Sequence, residues 1–115
     1  MQVTRFDAAK TYSPPKHAGC VSYRLQGMDA SSVQDFWVGM SHFLPGGGAE
    51  LDATPVEKVY VVLSGEITVE AGGKRVALKP FDSCVIGTNE PRSIVNESNL
   101  PATILVAIST PKAAT

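Results

Sequence analysis

PGGGAELDATPVEKVYVVLSGE, Pro45 to Glu66, decides the fold of this chain. It opens on a Pro-Gly-Gly-Gly turn, crosses a short polar segment, becomes an apolar strand at Val59 to Leu63 and ends at a Ser64-Gly65 turn. Short apolar runs bounded by Gly and Pro read as strands. In the polar segment, Asp52, Thr54 and Lys58 stand at the spacing at which many β-barrel proteins place metal ligands. That trio is not a usual transition-metal set.

Working outward, the same grammar repeats. Val21 to Gln26 alternates like a short strand, and Phe36 to Leu44 is a second candidate. Parity divides Phe36 to Leu44 into a face of Phe36, Val38, Met40, His42 and Leu44 and a face of Trp37, Gly39, Ser41 and Phe43. The first is more continuously apolar and is the expected interior face, which would carry His42 inward as a core histidine, a ligand or a general base. Further strands are expected at Ala49 to Thr54, Val56 to Leu63, Ile67 to Ala71, Arg75 to Leu78, Ser83 to Ile86, Arg92 to Asn96 and Ala102 to Ser109. Ser64-Gly65 and Gly72-Gly73 have the composition of tight hairpin turns. No stretch keeps a helical period over a dozen residues. Eight or nine short strands joined by Gly and Pro turns predict an all-β sandwich or barrel.

With 115 residues the chain is read as one domain, with residues 1–20, which contain Pro14-Pro15, as an irregular arm and His17 as solvated. A net charge of −1 gives no electrostatic case for nucleic acid or an anionic membrane. No apolar run approaches the ~20 residues of a membrane span, and MQVTRFDAAK lacks the apolar centre of a signal peptide, so a cytoplasmic location is expected. Cys20 and Cys84 are expected as reduced thiols, Cys84 as a small buried hydrophobe.

At Pro45 to Gly65 and Phe81 to Asn96 the chain resembles a small single-domain cupin of the Cupin_2 type. The family's first motif is G-x5-H-x-H-x3-E-x6-G; Gly46 and Gly65 match it and every spacing between them is kept. The second is G-x5-P-x-G-x2-H-x3-N, of which Asn96 matches. The ligand positions depart together: the histidines of the first motif fall on Asp52 and Thr54, its glutamate on Lys58, and the histidine of the second on Arg92. Phe81, Gly87 and Asn89 replace the remaining glycine, proline and glycine. The resemblance implies an all-β cupin double-stranded β-helix, a jelly-roll barrel, over residues 21–115 with motifs at 46–65 and 81–96. It also implies a homodimer, which fits the doubly apolar Ile104 to Ile108 strand.

Neutral imidazoles and a carboxylate hold transition metals in such barrels, whereas Lys58 and Arg92 would set like charge beside a divalent ion. No metal or other cofactor is therefore expected at the family position. If the ligand positions point inward as in cupins, Asp52, Thr54, Lys58 and Arg92 converge, and alternation adds Tyr60, Val62, Ile94 and Asn96. Three readings stay open. A metal-independent enzyme would hold a small anionic carboxylate or enolate on Arg92, with Thr54, Asn96, Val62 and Ile94 around it. Lys58, Asp52 or His42 would move protons and Tyr60 would donate to an oxyanion, in an isomerisation, cyclisation, lactone-processing or decarboxylation step. A binding or sensing module would use the same pocket without chemistry. A degenerate barrel would pair Asp52, Lys58 and Arg92 in an internal salt-bridge network.

Overall fold

The computed structural model describes residues 1–111, in which one 3-10 turn, Phe6–Ala8, precedes nine strands. These are β1 (Lys10–Tyr12), β2 (His17–Gln26), β3 (Phe36–Asp52), β4 (Lys58–Ser64), β5 (Ile67–Ala71), β6 (Lys74–Leu78), β7 (Ser83–Ile86), β8 (Arg92–Val95) and β9 (Ala102–Ser109). All pairings are antiparallel and the order is β6-β5-β8-β3-β9-β4-β7, with β2 joined to β3 and β1 to β2. The result is a nearly closed barrel, the all-β architecture expected. No described helix is long and apolar enough to cross a membrane.

The opening stretch behaves differently from its composition. Pro45-Gly-Gly-Gly does not end a strand: β3 runs through it without a break from Phe36 to Asp52. Its first half pairs with β9 (Phe36 to Phe43) and its second with β8 (Gly48 to Asp52), so β3 belongs to both walls of the barrel. The change of wall needs a sharp local bend, and Gly46 makes it at φ 82°, where a side chain would be strained. Gly72-Gly73 does close a hairpin, between β5 and β6. Ser64-Gly65 does not: β4 pairs with β7 and β9, and β5 with β6 and β8, so this turn carries the chain from one wall to the other.

Two further expectations are corrected. Residues 1–20 are not an irregular arm: β1 pairs with Ser22 to Arg24 in the second half of β2, and the start of β2, His17 and Ala18, pairs with Ala49 and Gly48 of β3. On β3 the inner face is Gly39, Ser41 and Phe43, the opposite parity to that expected. His42 therefore faces outward, where its Nδ1 lies 2.8 Å from Thr103 Oγ1 and the rings of Phe6 and Tyr23 stand beside it.

The core is Phe43, Tyr60, Val62, Ile67, Val69, Ile86, Ile94, Ile104 and Val106 with their smaller neighbours, drawn from both walls. Cys20 and Cys84 are free thiols packed against its edge, and burial raises the pKa of both, which suits small hydrophobes more than nucleophiles.

Candidate functional site

One barrel cavity, about 440 Å³, opens between the two walls. Six of the residues picked out from the sequence line it: Asp52, Thr54, Lys58, Tyr60, Arg92 and Ile94. Five arrive from three strands, and Thr54 from the connection between β3 and β4. Lys58 begins β4 and Tyr60 follows two residues on, on the same face; Arg92 begins β8 with Ile94 behind it; Asp52 ends β3 directly across from Arg92 in register. Period-two alternation thus turns motif spacing into convergence. Lys58 is 6% exposed and Arg92 4%.

Arg92 is clamped. Its Nε donates to Tyr60 Oη at 2.8 Å and its Nη1 to the Glu50 carbonyl at 3.1 Å. Asp52 is engaged elsewhere, accepting from Lys16 Nζ at 3.4 Å. Among the described residues neither Lys58 nor Arg92 has a carboxylate within ion-pair distance, so the internal Asp52–Lys58–Arg92 network is not formed. Burial pushes the Lys58 ammonium below the usual lysine range, Arg92 pushes it further, and Asp52 opposes both. Burial raises the Tyr60 phenol, with Arg92 working against it, so Tyr60 is neutral at pH 7. The Lys16 contact holds the Asp52 carboxyl below its ordinary value, leaving it ionised.

Two picked residues lie outside the cavity lining, besides the outward His42. Val62 is fully buried core. Asn96 is also fully buried, but its amide is spent on the backbone: Nδ2 donates to the carbonyls of Phe43 and Leu100, and Oδ1 accepts from the amide and hydroxyl of Ser98. It fastens the β8–β9 connection to β3.

The chain before the motifs supplies what sequence reasoning missed. Tyr12, Arg24 and Trp37 line the cavity, as do Pro14, Pro15 and His17 from the β1–β2 hairpin. That hairpin is tied to β3 by the Lys16–Asp52 pair and by the Glu50 amide donating to the Lys16 carbonyl at 3.0 Å. The signal available was the alternation of Val21 to Gln26, which sets Ser22 and Arg24 on one face.

His17 is not a solvated arm residue. It is half-buried, stacked over Phe43 with ring centroids 6.5 Å apart, and its Nδ1 lies 2.7 Å from the Pro15 carbonyl, which makes Nδ1 the protonated nitrogen. Burial lowers its pKa below 6.5, with Arg92 and Lys58 adding to the shift and the Pro15 bond and Asp52 resisting it. As pH falls the unfolded chain takes up this proton first. The stability tied to neutral His17 is therefore complete above 6.5 and is lost as pH drops through the window beneath it. The melting temperature of the wild type should consequently fall more steeply between about pH 7 and 5 than that of His17→Gln. Parallel curves would remove His17 as the cause.

The family's metal does not fit these residues. Lys58 and Arg92 occupy ligand positions as buried cations, Asp52 is turned to Lys16, and no group of three His, Cys, Asp or Glu among the described residues could hold an ion.

Residues 39–108 match the family model described as Cupin domain, which is more than half of the chain. The chain is a cupin. Over 113 residues, 98% of its length and 97% of the other's, it is 41% identical to a Mycobacterium tuberculosis (strain ATCC 25618 / H37Rv) protein named Beta-D-galactosidase Rv1717. Among solved structures, this cupin superposes on the polyketide cyclase RemF from Streptomyces resistomycificus with a TM-score of 0.83 at 17% identity, covering 95% of this chain and 79% of that one. KdgF from Halomonas sp. gives 0.78 at 14% identity, covering 97% and 94%. At those identities the structural matches speak for the fold alone.

Proposed function

We propose that this cupin holds a small organic anion, a carboxylate or enolate, in its barrel without a metal and moves a proton on it. The support comes chiefly from Lys58 and Arg92, two buried cations in one cavity without a carboxylate at ion-pair distance among the described residues. Like charges withdrawn from water cost several kcal/mol unless answered, and an anionic ligand answers both. Arg92, held by Tyr60 and Glu50, offers its second amino group as a fixed donor. Lys58, with its pKa lowered, is the acid–base group; Tyr60 is the neutral donor to a developing oxyanion; Asp52 at the hairpin is the ionised acceptor. Isomerisation, tautomerisation, cyclisation and decarboxylation suit this equipment, and capture without turnover uses the same contacts.

Hydrolysis of a β-galactoside is the second reading, favoured by the full-length 41% identity to a protein of that name. Glycosidases ordinarily use two carboxylates flanking the scissile bond. Among the described residues the cavity lining contains one, Asp52, so Lys58 or Tyr60 would serve as the acid.

Thermal shift with a panel of small carboxylates, gluconate among them, and a chromogenic aryl β-galactoside assayed with and without chelator separate these readings. Carboxylates should raise the melting temperature by several degrees. Lys58→Met should raise ligand-free stability by about 1–2 kcal/mol, by removing an unanswered buried charge, and should cancel the ligand response. A Lys58→Met protein that is less stable, together with a wild type indifferent to every carboxylate, would sink the anion pocket. One equivalent of transition metal per chain would sink its metal independence.

A homodimer through the outer face of β3, β9, β4 and β7 belongs to the same proposal. Val38, Ala107, Val59 and Val85 form one cross-strand row there, with Val59 39% and Val85 61% exposed. Light scattering at micromolar concentration should give twice the chain mass, and Val85→Lys should halve it.

A further inference from the structure

The cavity has a second polar pole that the Lys58–Arg92 chemistry does not use. Arg24, on the inner face of β2, lies with its guanidinium carbon 4.4 Å from the Tyr12 ring centre and 4.8 Å from that of Trp37. Tyr12 and Trp37 meet edge to face at 5.4 Å. Gly39 makes room for this cluster: a Cβ there would stand 2.7 Å from Tyr12 Oη and 3.0 Å from Trp37 Cζ3. A glycine inside a strand weakens it and marks a close approach, here of two aromatic rings lining the cavity.

Two buried side-chain polar atoms among the described residues lack a hydrogen-bond partner: Arg24 Nε and Thr54 Oγ1. Both residues line this cavity. The Arg24 pole and the Lys58 pole occupy different places in the sheet. Arg24, Gly39, Val106 and Tyr60 form one cross-strand row, so three strand spacings separate Arg24 from Tyr60, roughly 14 Å along the curved wall. Trp37 and Lys58 both face Ile108, two spacings or about 10 Å apart. Ile104, Val106 and Ile108 line the wall between the poles.

The two poles differ in what they lack. Lys58 and Arg92 lack a negative charge. The Arg24 charge is already answered, by Asp29 at 3.8 Å from Nη1 and by two aromatic faces; what its Nε–H lacks is an acceptor. Trp37, one face of which carries the Arg24 guanidinium, and Tyr12 line the cavity beside a buried N–H donor, a set that suits a ring with an apolar C–H face and hydroxyl edges, as a sugar has. The volume, room for about fifteen water-sized units, exceeds what one such ring fills.

The geometry points to a second recognition subsite, formed by Tyr12, Arg24 and Trp37, for the neutral hydroxylated ring of a two-part ligand whose anionic part sits at Lys58 and Arg92. This rests on the anion reading above and adds a substrate class to it: a glycoside of a small organic acid, spanning the cavity from one pole to the other.

Titration calorimetry on the intact protein tests it with lactobionate, a β-galactosyl ring joined to an aldonate, against gluconate, the aldonate alone. The wild type should bind lactobionate roughly tenfold tighter or better. Arg24→Lys keeps the positive charge over the rings but removes the Nε–H. It should reduce that advantage to about threefold or less and leave gluconate affinity unchanged. Trp37→Phe, a smaller change to the packing, should show the same pattern and decides the matter if Arg24→Lys does not fold. Equal wild-type affinity for the two probes, or variants that weaken both alike, overturns the subsite while leaving the anion pocket standing. Binding of neither probe overturns the subsite, and the anion pocket falls with it if the wild type is also indifferent to every other carboxylate of the thermal-shift panel.

Discussion

Arg92→Met should weaken gluconate binding by about 100-fold or more, the largest functional loss of any single change in the cavity. Removing one partner of a buried charge-assisted contact costs about 2–5 kcal/mol in affinity, and each 1.4 kcal/mol is a factor of about ten. Arg92 is 4% exposed and fixed through Tyr60 Oη and the Glu50 carbonyl before any ligand arrives, so its fork is already ordered. The variant should also shift the pH profile of whatever binding survives toward the alkaline side. Arg92 is one of the two causes that lower the Lys58 pKa, and without it the ammonium persists to higher pH. Folding stability should change far less than affinity, because the substitution removes a desolvated charge while stranding one phenol and one carbonyl. Gluconate affinity within threefold of wild type would falsify the assignment of Arg92 as the anion anchor.

Asn96→Ala should give the largest loss of stability, about 3 kcal/mol, with no change in ligand affinity. Four hydrogen bonds meet on this one fully buried amide, each contributing roughly 1 kcal/mol, and truncation strands the Phe43 carbonyl in the core. For a domain of this size, about 4 °C per kcal/mol puts the expected fall in melting temperature near 12 °C. Strand alternation places Asn96 with the substrate-binding residues, whereas its hydrogen bonds place it in the frame. Calorimetric melting alongside gluconate titration distinguishes the roles: a stable variant with lost affinity would return Asn96 to the pocket.

The two substitutions mark how far the residues could be read in advance. Lys58 and Arg92 line one cavity, which the cupin resemblance implied, and strand alternation sets Tyr60 and Ile94 on the same faces behind them. Asn96 satisfies the same rule and yet serves the backbone, since the partners that claim its amide, Phe43 and Leu100, come from other elements. Hydrophobicity points to the wrong face of β3 for a reason particular to barrels with cavities. The strand's inner side carries Gly39, which leaves room for Tyr12 and Trp37, and Ser41, whose hydroxyl lies 2.7 Å from that of Ser22, while its outer side carries Val38 and Met40. Where inner positions serve close approaches and hydrogen bonds and the outer side is itself apolar, hydrophobicity does not tell inside from outside.

Most strand positions, the lack of a helical period and the cationic character of the motif positions could be read from residue order alone, because period-two alternation, glycine and proline turns and side-chain charge are properties of short segments. Folding in space decided the rest. It carried β3 unbroken through Pro45-Gly-Gly-Gly, turned Ser64-Gly65 from a hairpin into a crossing, gave Asp52 to Lys16 and brought Tyr12, Arg24 and Trp37 to the far side of the cavity. Each of these depends on contacts between segments far apart in the chain, and competition among such contacts leaves no trace in the local pattern.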